Sequence, residues 1–496
     1  MSRARWFFSL FLICLLSGPG LGAAPAEADE HSPFARLEQG VSRFTLSNGM
    51  RVVFFRREEA PVFSGQVWVK AGGVDERPGI TGLAHFLEHM AFKGSQTIGT
   101  KDFTKEKPLL ERFEKLVTES PDQYVALQSD EAKSILRELS EIWVDNEFGS
   151  IYEQSGGQGL NAMTSKDFTA YMVSLPSVAF ELWCWMESER LLSPVFRQFY
   201  REREVIQEER RMNYDDSPNG KMYELLLETA YTAHPYRMPN IGYSQDLRAL
   251  TETQMRTFYK TYYHPENIVL SIVGDVEPER AHELLERYFS RVPRSSEGVP
   301  TIATVEPAQT AMREAVLRLD AEPELSLAYH KPVWPNEDDA RFSVVHELLS
   351  EVRSSILRKE LVREKKLAAS VASYEAPGTR YPSLFLIGAT PSRGVSNDRL
   401  RREIQSTLNR LARTPVPSSD LAAAKRRAKV ELIDSLDSND DLSQIFAYSE
   451  LLFNDPLAPL RMYEVIERTT GEDVQRLIQE YLSEPQSTYI RIEKTS

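Results

Sequence analysis

Apolar residues alternate with polar ones along several stretches of the chain, and along others they recur at helical spacing. Alternating positions flank the turn at Ser47–Gly49 and continue through residues 62–72. The same alternation runs through residues 157–176 and 367–390. A period of two is typical of half-buried β-strands, so each stretch predicts strands.

Stretches with helical spacing lie between these predicted strands. They cover residues 179–191, 199–216, 338–365, 396–412 and 418–453. Residues 265–289 indicate a strand, a turn and a helix that close the first half of the chain. Residues 101–150 are charged and helical in pattern, and we expect them to form a helical hairpin inserted between core elements.

The mixture of strands and helices occurs in both halves of the chain. It predicts an α/β fold, of the α+β type, with two similar domains. In each domain we expect a mixed, mainly antiparallel sheet covered by helices. Residues 293–307 are rich in Pro and Ser and lack periodicity, which is typical of a linker. The predicted N-terminal domain is therefore 40–292 and the C-terminal domain 308–496.

Residues 1–26 have the pattern of a secretory signal peptide. Arg3 and Arg5 precede an apolar run, and small residues follow, with a cleavage site at Ala24–Ala26. The run is shorter than the ~20 residues that span a bilayer. We expect a periplasmic or secreted protein without a stable membrane span after cleavage. The alternative is an uncleaved N-terminal segment that anchors the chain.

Composition narrows the choice of partner and of chemistry. The 496 residues are 41% hydrophobic, enough for the cores of two domains, and the net charge of −14 argues against a nucleic-acid partner. Signal cleavage would remove Cys14 and leave Cys184 as the only cysteine. A metal site in the mature chain must therefore use histidine and carboxylate ligands.

The stretch "TGLAHFLEHMAFKGS" places His85 and His89 four residues apart, with Glu88 between them. On a helix the three side chains lie within an arc of about 100°. Histidines at this spacing can reach one ion at about 2.0–2.1 Å, and the glutamate could take a proton from a metal-bound water. The structural alternative is a pair of surface histidines beside a carboxylate.

A catalytic zinc needs a third protein ligand. In "REREVIQEERR", Glu202 and Glu209 are seven residues apart and share a helix face with Val205 and Ile206. An acid directed inward needs a partner such as a metal or a hydrogen bond. Either glutamate could be the third ligand, with the other in a supporting position. The alternative is a pair of surface acids on a highly charged helix.

Five motifs occur in one characteristic order: "GLAHFLEHMAFKGS", "GGQGLNAMTSKDFTAYMVSLP", "ESERL", "REREVIQEERR" and "YYHPENIVLSIVGDV". H-x-x-E-H is the inverzincin pattern. The motif order resembles that of the insulinase/pitrilysin family of zinc metallopeptidases, and most of all its mitochondrial processing peptidase-like branch in bacteria. The resemblance covers residues 43–494 and is strongest over 43–290.

This resemblance implies two α/β domains of similar fold, one Zn²⁺ per chain and hydrolysis of peptides in a closed chamber. It implies that His85, His89 and Glu209 bind the metal, because the later of the family's two glutamates is the ligand. It also implies that Glu202 supports the site and that Glu88 is the general base.

Residues that bind substrate are implied in the same way. "GLNAMTS" resembles the family's edge strand, on which an extended peptide lies as an added strand. Asn161 and Ala162 match the substrate-binding positions. The alternative for Asn161 is a turn or a strand end.

Two departures from the family pattern stand out. The stretch between the histidines and Glu209 is longer than in compact family members, and residues 101–150 fill the difference. The family also has an Arg and a Tyr, seven apart, that bind substrate. Arg363 is present, but the tyrosine position falls on Ala369 or Ser370, and Tyr374 lies too far along. We therefore expect a heterodimer in which a related subunit supplies the Arg/Tyr clamp.

The predicted function is that of an exported zinc-dependent endopeptidase, which hydrolyses peptides or unfolded segments through a zinc-bound water. The chain would be the metal-bearing subunit. One alternative is a non-catalytic peptide-binding or structural subunit that retains the fold. Another is a surface zinc site that only stabilises the fold, for which no adjacent glutamate is needed.

Overall fold

The structure is a computed structural model that describes residues 34–495. The described residues before Gly40 belong to a first unit, in which a short helix, Ala35–Gly40 (α1), begins. The second unit begins at Gly40 and contains the elements discussed below. The predicted signal peptide, residues 1–26, lies outside the described residues.

Six strands form the first sheet: Val41–Thr45 (β1), Arg51–Arg56 (β2), Val62–Val69 (β3), Gln158–Thr164 (β4), Thr169–Pro176 (β5) and Ile268–Gly274 (β6). Their order is β1-β2-β6-β3-β5-β4, so β4 lies at an edge. The pair β2/β6 is parallel and the other neighbours are antiparallel. The sheet is mixed and mainly antiparallel, as predicted.

Five strands form the second sheet: Arg313–Leu319 (β7), Glu324–Lys331 (β8), Ala368–Ala376 (β9), Ser383–Pro391 (β10) and Ser487–Lys494 (β11). Their order is β7-β11-β8-β10-β9, and the pair β7/β11 is parallel. The first sheet without β1 repeats this order strand for strand. The predicted fold class is confirmed, because two sheets of like topology occur one after the other.

Helices of the first half are Leu83–Met90 (α2), Phe103–Thr118 (α3), Gln123–Gln128 (α4), Asp130–Ile142 (α5), Glu147–Gln154 (α6), Phe180–Leu192 (α7), Phe199–Arg210 (α8), Pro218–Ala230 (α9), Ser244–Ala249 (α10), Glu252–Tyr262 (α11) and Pro278–Phe289 (α12). Those of the second half are Glu337–His346 (α13), Asn397–Leu411 (α14), Ser418–Asp434 (α15), Asn439–Phe453 (α16), Ala458–Arg468 (α17) and Gly471–Tyr481 (α18). Within residues 34–495, π-helical stretches lie directly after α8 (Arg211–Asp215), directly after α13 (Glu347–Glu351) and shortly before β9 (Arg358–Glu364).

The two halves exchange one helix each. Helix α16 packs on β3 and β6 of the first sheet, where Asp440 accepts hydrogen bonds from Ser64 and Gln66. Helix α9 packs on the second sheet, and its Leu226 shares an apolar cluster with Ile490 of β11. Each sheet therefore buries one face under a helix from the other half, which explains why residues from Gly40 onward form one compact unit.

Two stretches differ in detail from the sequence prediction. Residues 101–150 form more than a hairpin: α3 packs on α5, and α4 and α6 complete what we call the four-helix segment, residues 103–154. The helix predicted over 418–453 is broken between α15 and α16, because Ser438 accepts a hydrogen bond from the Asp441 N–H and caps the new helix. Among the helices of residues 34–495, none combines the length and the apolar character needed to cross a membrane.

Candidate metal centre

Helix α2 carries the H-x-x-E-H motif. Its apolar residues Phe86, Leu87 and Met90 are buried in the core of the first half. His85 and His89 are therefore left on the partly accessible side, as the helical spacing predicted. The helix begins after Gly82, whose φ of 84° is left-handed and whose added Cβ would lie 2.4 Å from the carbonyl oxygen of Ile241.

Glu76 holds the start of this helix. Its carboxylate accepts hydrogen bonds of 2.7 Å from the backbone N–H groups of Gly82 and Ala84. These N–H groups belong to the first turn, where no intrahelical acceptor is available. Glu76 thus fixes the position of α2 from outside the motif.

His85, His89 and Glu209 come together as a candidate ligand group. One nitrogen or oxygen from each lies within 4.8 Å of the others. Glu209 Oε1 is 3.9 Å from His85 Nε2, and Glu209 Oε2 is 3.8 Å from His89 Nε2. Tetrahedral ligands at about 2.0–2.1 Å from zinc are about 3.3–3.5 Å apart. The two Glu209 contacts are within about 0.6 Å of that spacing, so the three side chains can hold a cation of this kind once the group, now within 4.8 Å, contracts.

Helix α8 brings Glu209 and Glu202 to the same side, as expected for residues seven apart. The helix face that they share with Val205 and Ile206 is buried only in part, since Ile206 is buried but Val205 is 47% exposed. The buried face instead includes Arg203 and Arg210. These arginines can be buried because they donate hydrogen bonds to neighbouring carbonyl and carboxylate oxygens.

Glu202 lies behind the candidate ligands. Its Oε1 is 3.0 Å from His89 Nδ1, and its Oε2 accepts a 2.6 Å hydrogen bond from Lys93 Nζ. Burial alone would raise the pKa of Glu202, but the hydrogen bonds to His89 and Lys93 outweigh it and lower that pKa to about 2. An ionised Glu202 favours the proton on Nδ1 of His89 and leaves the Nε2 lone pair directed at the metal position.

The two histidines differ in their preference for protons. Burial, together with the neighbouring His89, lowers the pKa of His85 to about 3. Burial also acts against a charged His89, but the hydrogen bond to Glu202 and the nearby carboxylates raise its pKa overall. A neutral His85 is ready to bind a cation, because only the unprotonated ring nitrogen can be a ligand.

Glu88 lies next to this group and is 6% exposed. Its Oε2 accepts a 2.6 Å hydrogen bond from Thr164 Oγ1, at the end of β4. Burial raises the pKa of Glu88, and the bond from Thr164 acts in the opposite direction. A carboxylate with a raised pKa beside a metal position is suited to accept and return a proton.

Asn161 and Ala162 lie on the edge strand β4, opposite Met172 and Tyr171 of β5. Asn161 is exposed and Ala162 is half-buried. In the sheet as described, β4 pairs with β5 alone. The free edge of β4 can accept an extended peptide as a further strand. The end of β4 itself is hydrogen-bonded to Glu88 through Thr164.

The positions of the family's Arg/Tyr clamp lie in the second half of the chain. Arg363 is exposed on the π-helical stretch Arg358–Glu364. Ala369 and Ser370 are exposed at the start of β9, whereas Tyr374 is half-buried where β9 pairs with β10. The two residues expected to take the place of the tyrosine are therefore small and lie on an edge strand.

Three residues of the site were not singled out from the sequence: Glu76, Lys93 and Thr164. Lys93 stands in the stretch that contains the H-x-x-E-H motif and Thr164 in the predicted edge strand, but their contacts join distant segments. Glu76 lies six residues before the N-cap Gly82, outside the local capping pattern, so the sequence does not identify it. The other two contacts depend on tertiary packing.

An H-x-x-E-H helix, a glutamate from a second helix and an adjacent edge strand together define a metallopeptidase site. Two sequence profiles match the chain: "Insulinase (Peptidase family M16)" over residues 51–109 and "Peptidase M16 inactive domain" over residues 249–428. The chain belongs to this insulinase family of peptidases, as the motif order predicted. The predicted enzyme class, a zinc metalloendopeptidase, is confirmed with it.

Individual relatives agree with this assignment. "Zinc protease PqqE" of Helicobacter pylori is 28% identical over 453 residues, covering 90% of this chain and 91% of the relative. The crystal structure of a protease from Helicobacter pylori has a TM-score of 0.78 at 27% identity, covering 91% of this chain and 99% of that one. A probable mitochondrial-processing peptidase subunit beta of Arabidopsis thaliana is 21% identical over 452 residues, covering 88% of this chain and 75% of the relative.

Proposed function

We propose that this chain is an exported zinc-dependent endopeptidase that hydrolyses peptides or unfolded segments. The observation that carries the proposal is the grouping of His85, His89 and Glu209 around one position, with Glu88 and the edge strand β4 beside it. His85, His89 and Glu209 would hold one Zn²⁺ per chain. Bound zinc supplies Lewis-acid chemistry, because it lowers the pKa of water and polarises the scissile carbonyl.

The chain's own residues carry the proton transfers. Glu88 takes a proton from the attacking water and passes it to the leaving amine. Thr164 holds the Glu88 carboxylate in place through its hydrogen bond. Asn161 and Ala162 bind the substrate backbone along β4, which brings the scissile bond to the end of the strand, next to Glu88.

We further propose that the active form contains a related subunit that supplies an Arg and a Tyr to the substrate. The support is the small residue, Ala369 or Ser370, at the tyrosine position, together with the name of one relative as a subunit of a processing peptidase. Export is proposed from the signal-like pattern of residues 1–26.

The test starts from the native host. The tagged chain is isolated with any subunit that accompanies it, and an unstructured peptide is offered before chelation, after chelation and after return of one equivalent of zinc. We expect cleavage to be lost and then restored, and to be much weaker for the chain alone. Cleavage that survives complete removal of metal contradicts the zinc mechanism, and full activity of the monomer contradicts the heterodimer.

A non-catalytic peptide-binding subunit is the other outcome of this test. Such a subunit would bind the peptide and release it uncut in the presence of zinc and of every co-purified chain.

A further inference from the structure

Arg197 lies at the junction of both helices that carry the candidate metal ligands. It stands two residues before α8, which contains Glu202 and Glu209. Its side chain is 3% exposed and reaches the loop that follows α2. A fully buried guanidinium is unusual unless each of its polar groups has a partner.

All five N–H donors of Arg197 are used. Nη1 donates to the carbonyl oxygens of Lys93 at 2.9 Å and Ile98 at 3.0 Å, and Nη2 donates to that of Ser95 at 2.6 Å. Nε and Nη2 donate to the two carboxylate oxygens of Glu106, at 2.7 and 3.0 Å. A guanidinium has five N–H donors in all, so every donor of the Arg197 side chain has an acceptor.

The loop 93–99 depends on this arginine for its shape. Three carbonyl oxygens of the loop converge on one point, and their mutual repulsion is offset by the positive charge between them. Gly94 and Gly99 have φ values of 91° and 85°, and a Cβ at either would lie 2.2–2.7 Å from a carbonyl oxygen of the loop. The loop therefore closes tightly, with the guanidinium at its centre.

Glu106 comes from the four-helix segment and compensates the buried charge. Its side chain is 0% exposed, and its Oε1 also accepts a 2.9 Å hydrogen bond from Trp143 Nε1 of the same segment. The segment contacts the beginning of α8 at further points, where Tyr200 donates to Glu114 and Arg203 donates to Gln123. The segment therefore contacts, through Arg197 and directly, the parts of the chain next to both helices that carry the candidate metal ligands.

A continuous series of contacts leads from the segment to a candidate metal ligand. Glu106 pairs with Arg197, and Arg197 holds the backbone of Lys93. Lys93 Nζ then donates to Glu202, which contacts His89 Nδ1. We propose that the four-helix segment is an internal brace of the metal centre, and that Glu106 and Arg197 are positioning residues that fix the orientation of His89 through Lys93 and Glu202.

The test compares two buried carboxylates. Glu106→Gln keeps the size of the side chain and the acceptor for Trp143, but it leaves Arg197 without its counter-charge. Glu450→Gln is the matched control, because Glu450 is also 0% exposed and pairs with Arg43 and Arg51 of β1 and β2, at the opposite edge of the first sheet from β4. Both variants should lower the melting temperature of the zinc-free protein.

The deciding readout is the zinc dissociation constant, measured on the folded full-length chain by chelator competition. We expect it to rise by about 10–100-fold in Glu106→Gln, the usual effect of losing an outer partner of a metal ligand, and to stay unchanged in Glu450→Gln. An unchanged constant in a folded Glu106→Gln protein overturns the proposal.

If Glu106→Gln does not fold, a second variant can still refute the proposal. Lys93→Met removes the Nζ group and keeps an unbranched apolar side chain at this half-buried position. It should weaken zinc binding about tenfold, and wild-type affinity in this variant would also overturn the proposal. The inference rests on the proposed function, but the two fail differently: a wild-type chain that binds no zinc refutes the function, whereas equal affinities in wild type and variants refute only the brace.

Discussion

Thr164 Oγ1 donates a hydrogen bond of 2.6 Å to Glu88 Oε2 from the last position of the edge strand β4. The strand proposed to bind substrate is therefore hydrogen-bonded directly to the proposed general base. A peptide that pairs with β4 would be held at a fixed distance from Glu88. Proximity of this kind is a large part of enzymatic rate enhancement.

Thr164→Val tests this connection, because valine keeps the shape of the side chain and loses the hydroxyl. A hydrogen bond to a charged group contributes about 1.5–3 kcal/mol, so we expect kcat/KM to fall by about 10–100-fold. The bond stabilises the ionised carboxylate, and its loss raises the pKa of Glu88. The acidic limb of the pH–rate profile should therefore move to higher pH, with zinc content unchanged. An unchanged pH–rate profile would show that Thr164 does not influence the pKa of the general base.

Glu209 and Glu208 offer a matched pair on one helix. Glu209 faces His85 and His89, whereas Glu208 is exposed and pairs with Arg211. Glu209→Gln should remove most of the bound zinc, because a neutral amide is a much poorer ligand than a carboxylate. Glu208→Gln should keep one zinc per chain by elemental analysis. Equal zinc contents in the two variants would exclude Glu209 as a ligand.

The hydrogen bonds of Glu306, a residue outside the candidate metal centre, predict a pH-dependent contribution to the stability of the fold. Its carboxylate accepts hydrogen bonds from the backbone N–H groups of Thr232, Ala233 and His234. Burial opposes ionisation, but these bonds outweigh it and lower the pKa of Glu306 to about 2. A depressed pKa means that the stabilisation is present above the unfolded-state pKa, about 4.3, and is lost as the pH falls towards 2.

Glu306→Gln should therefore lower the melting temperature at pH 7, and the difference from wild type should shrink below pH 4.5. Thermal unfolding followed by circular dichroism between pH 3 and pH 7 measures this. A difference that stays constant over the whole range would mean that the charge of Glu306 is not the stabilising feature.

The local part of the site could be predicted from the sequence. His85, Glu88 and His89 are fixed by helical spacing, and Glu202 and Glu209 share a face because they are seven residues apart. The burial predicted from residue type is wrong on α8, since Val205 is exposed while Arg203 is buried. Arginine can be buried when tertiary neighbours satisfy its donors, and a single helix does not reveal those neighbours.

The long-range part of the site could not be predicted. The contacts of Thr164 with Glu88 and of Glu106 with Arg197 join residues about 76 and 91 positions apart. The similarity of the two halves was visible only as a general pattern, because it lies in the order of the strands and not in identical residues. The helix exchange of α9 and α16 likewise leaves no local signal, since each helix packs on the sheet of the other half.

The most direct test of the account measures zinc content and peptide cleavage on the same preparations of wild type and Glu88→Gln, each isolated from the native host with its accompanying subunit. The account predicts one zinc per chain in both, with cleavage in the variant reduced by about 10²–10⁴-fold or more. Cleavage at the wild-type rate in a zinc-loaded Glu88→Gln protein, or a wild-type chain without zinc, would contradict it.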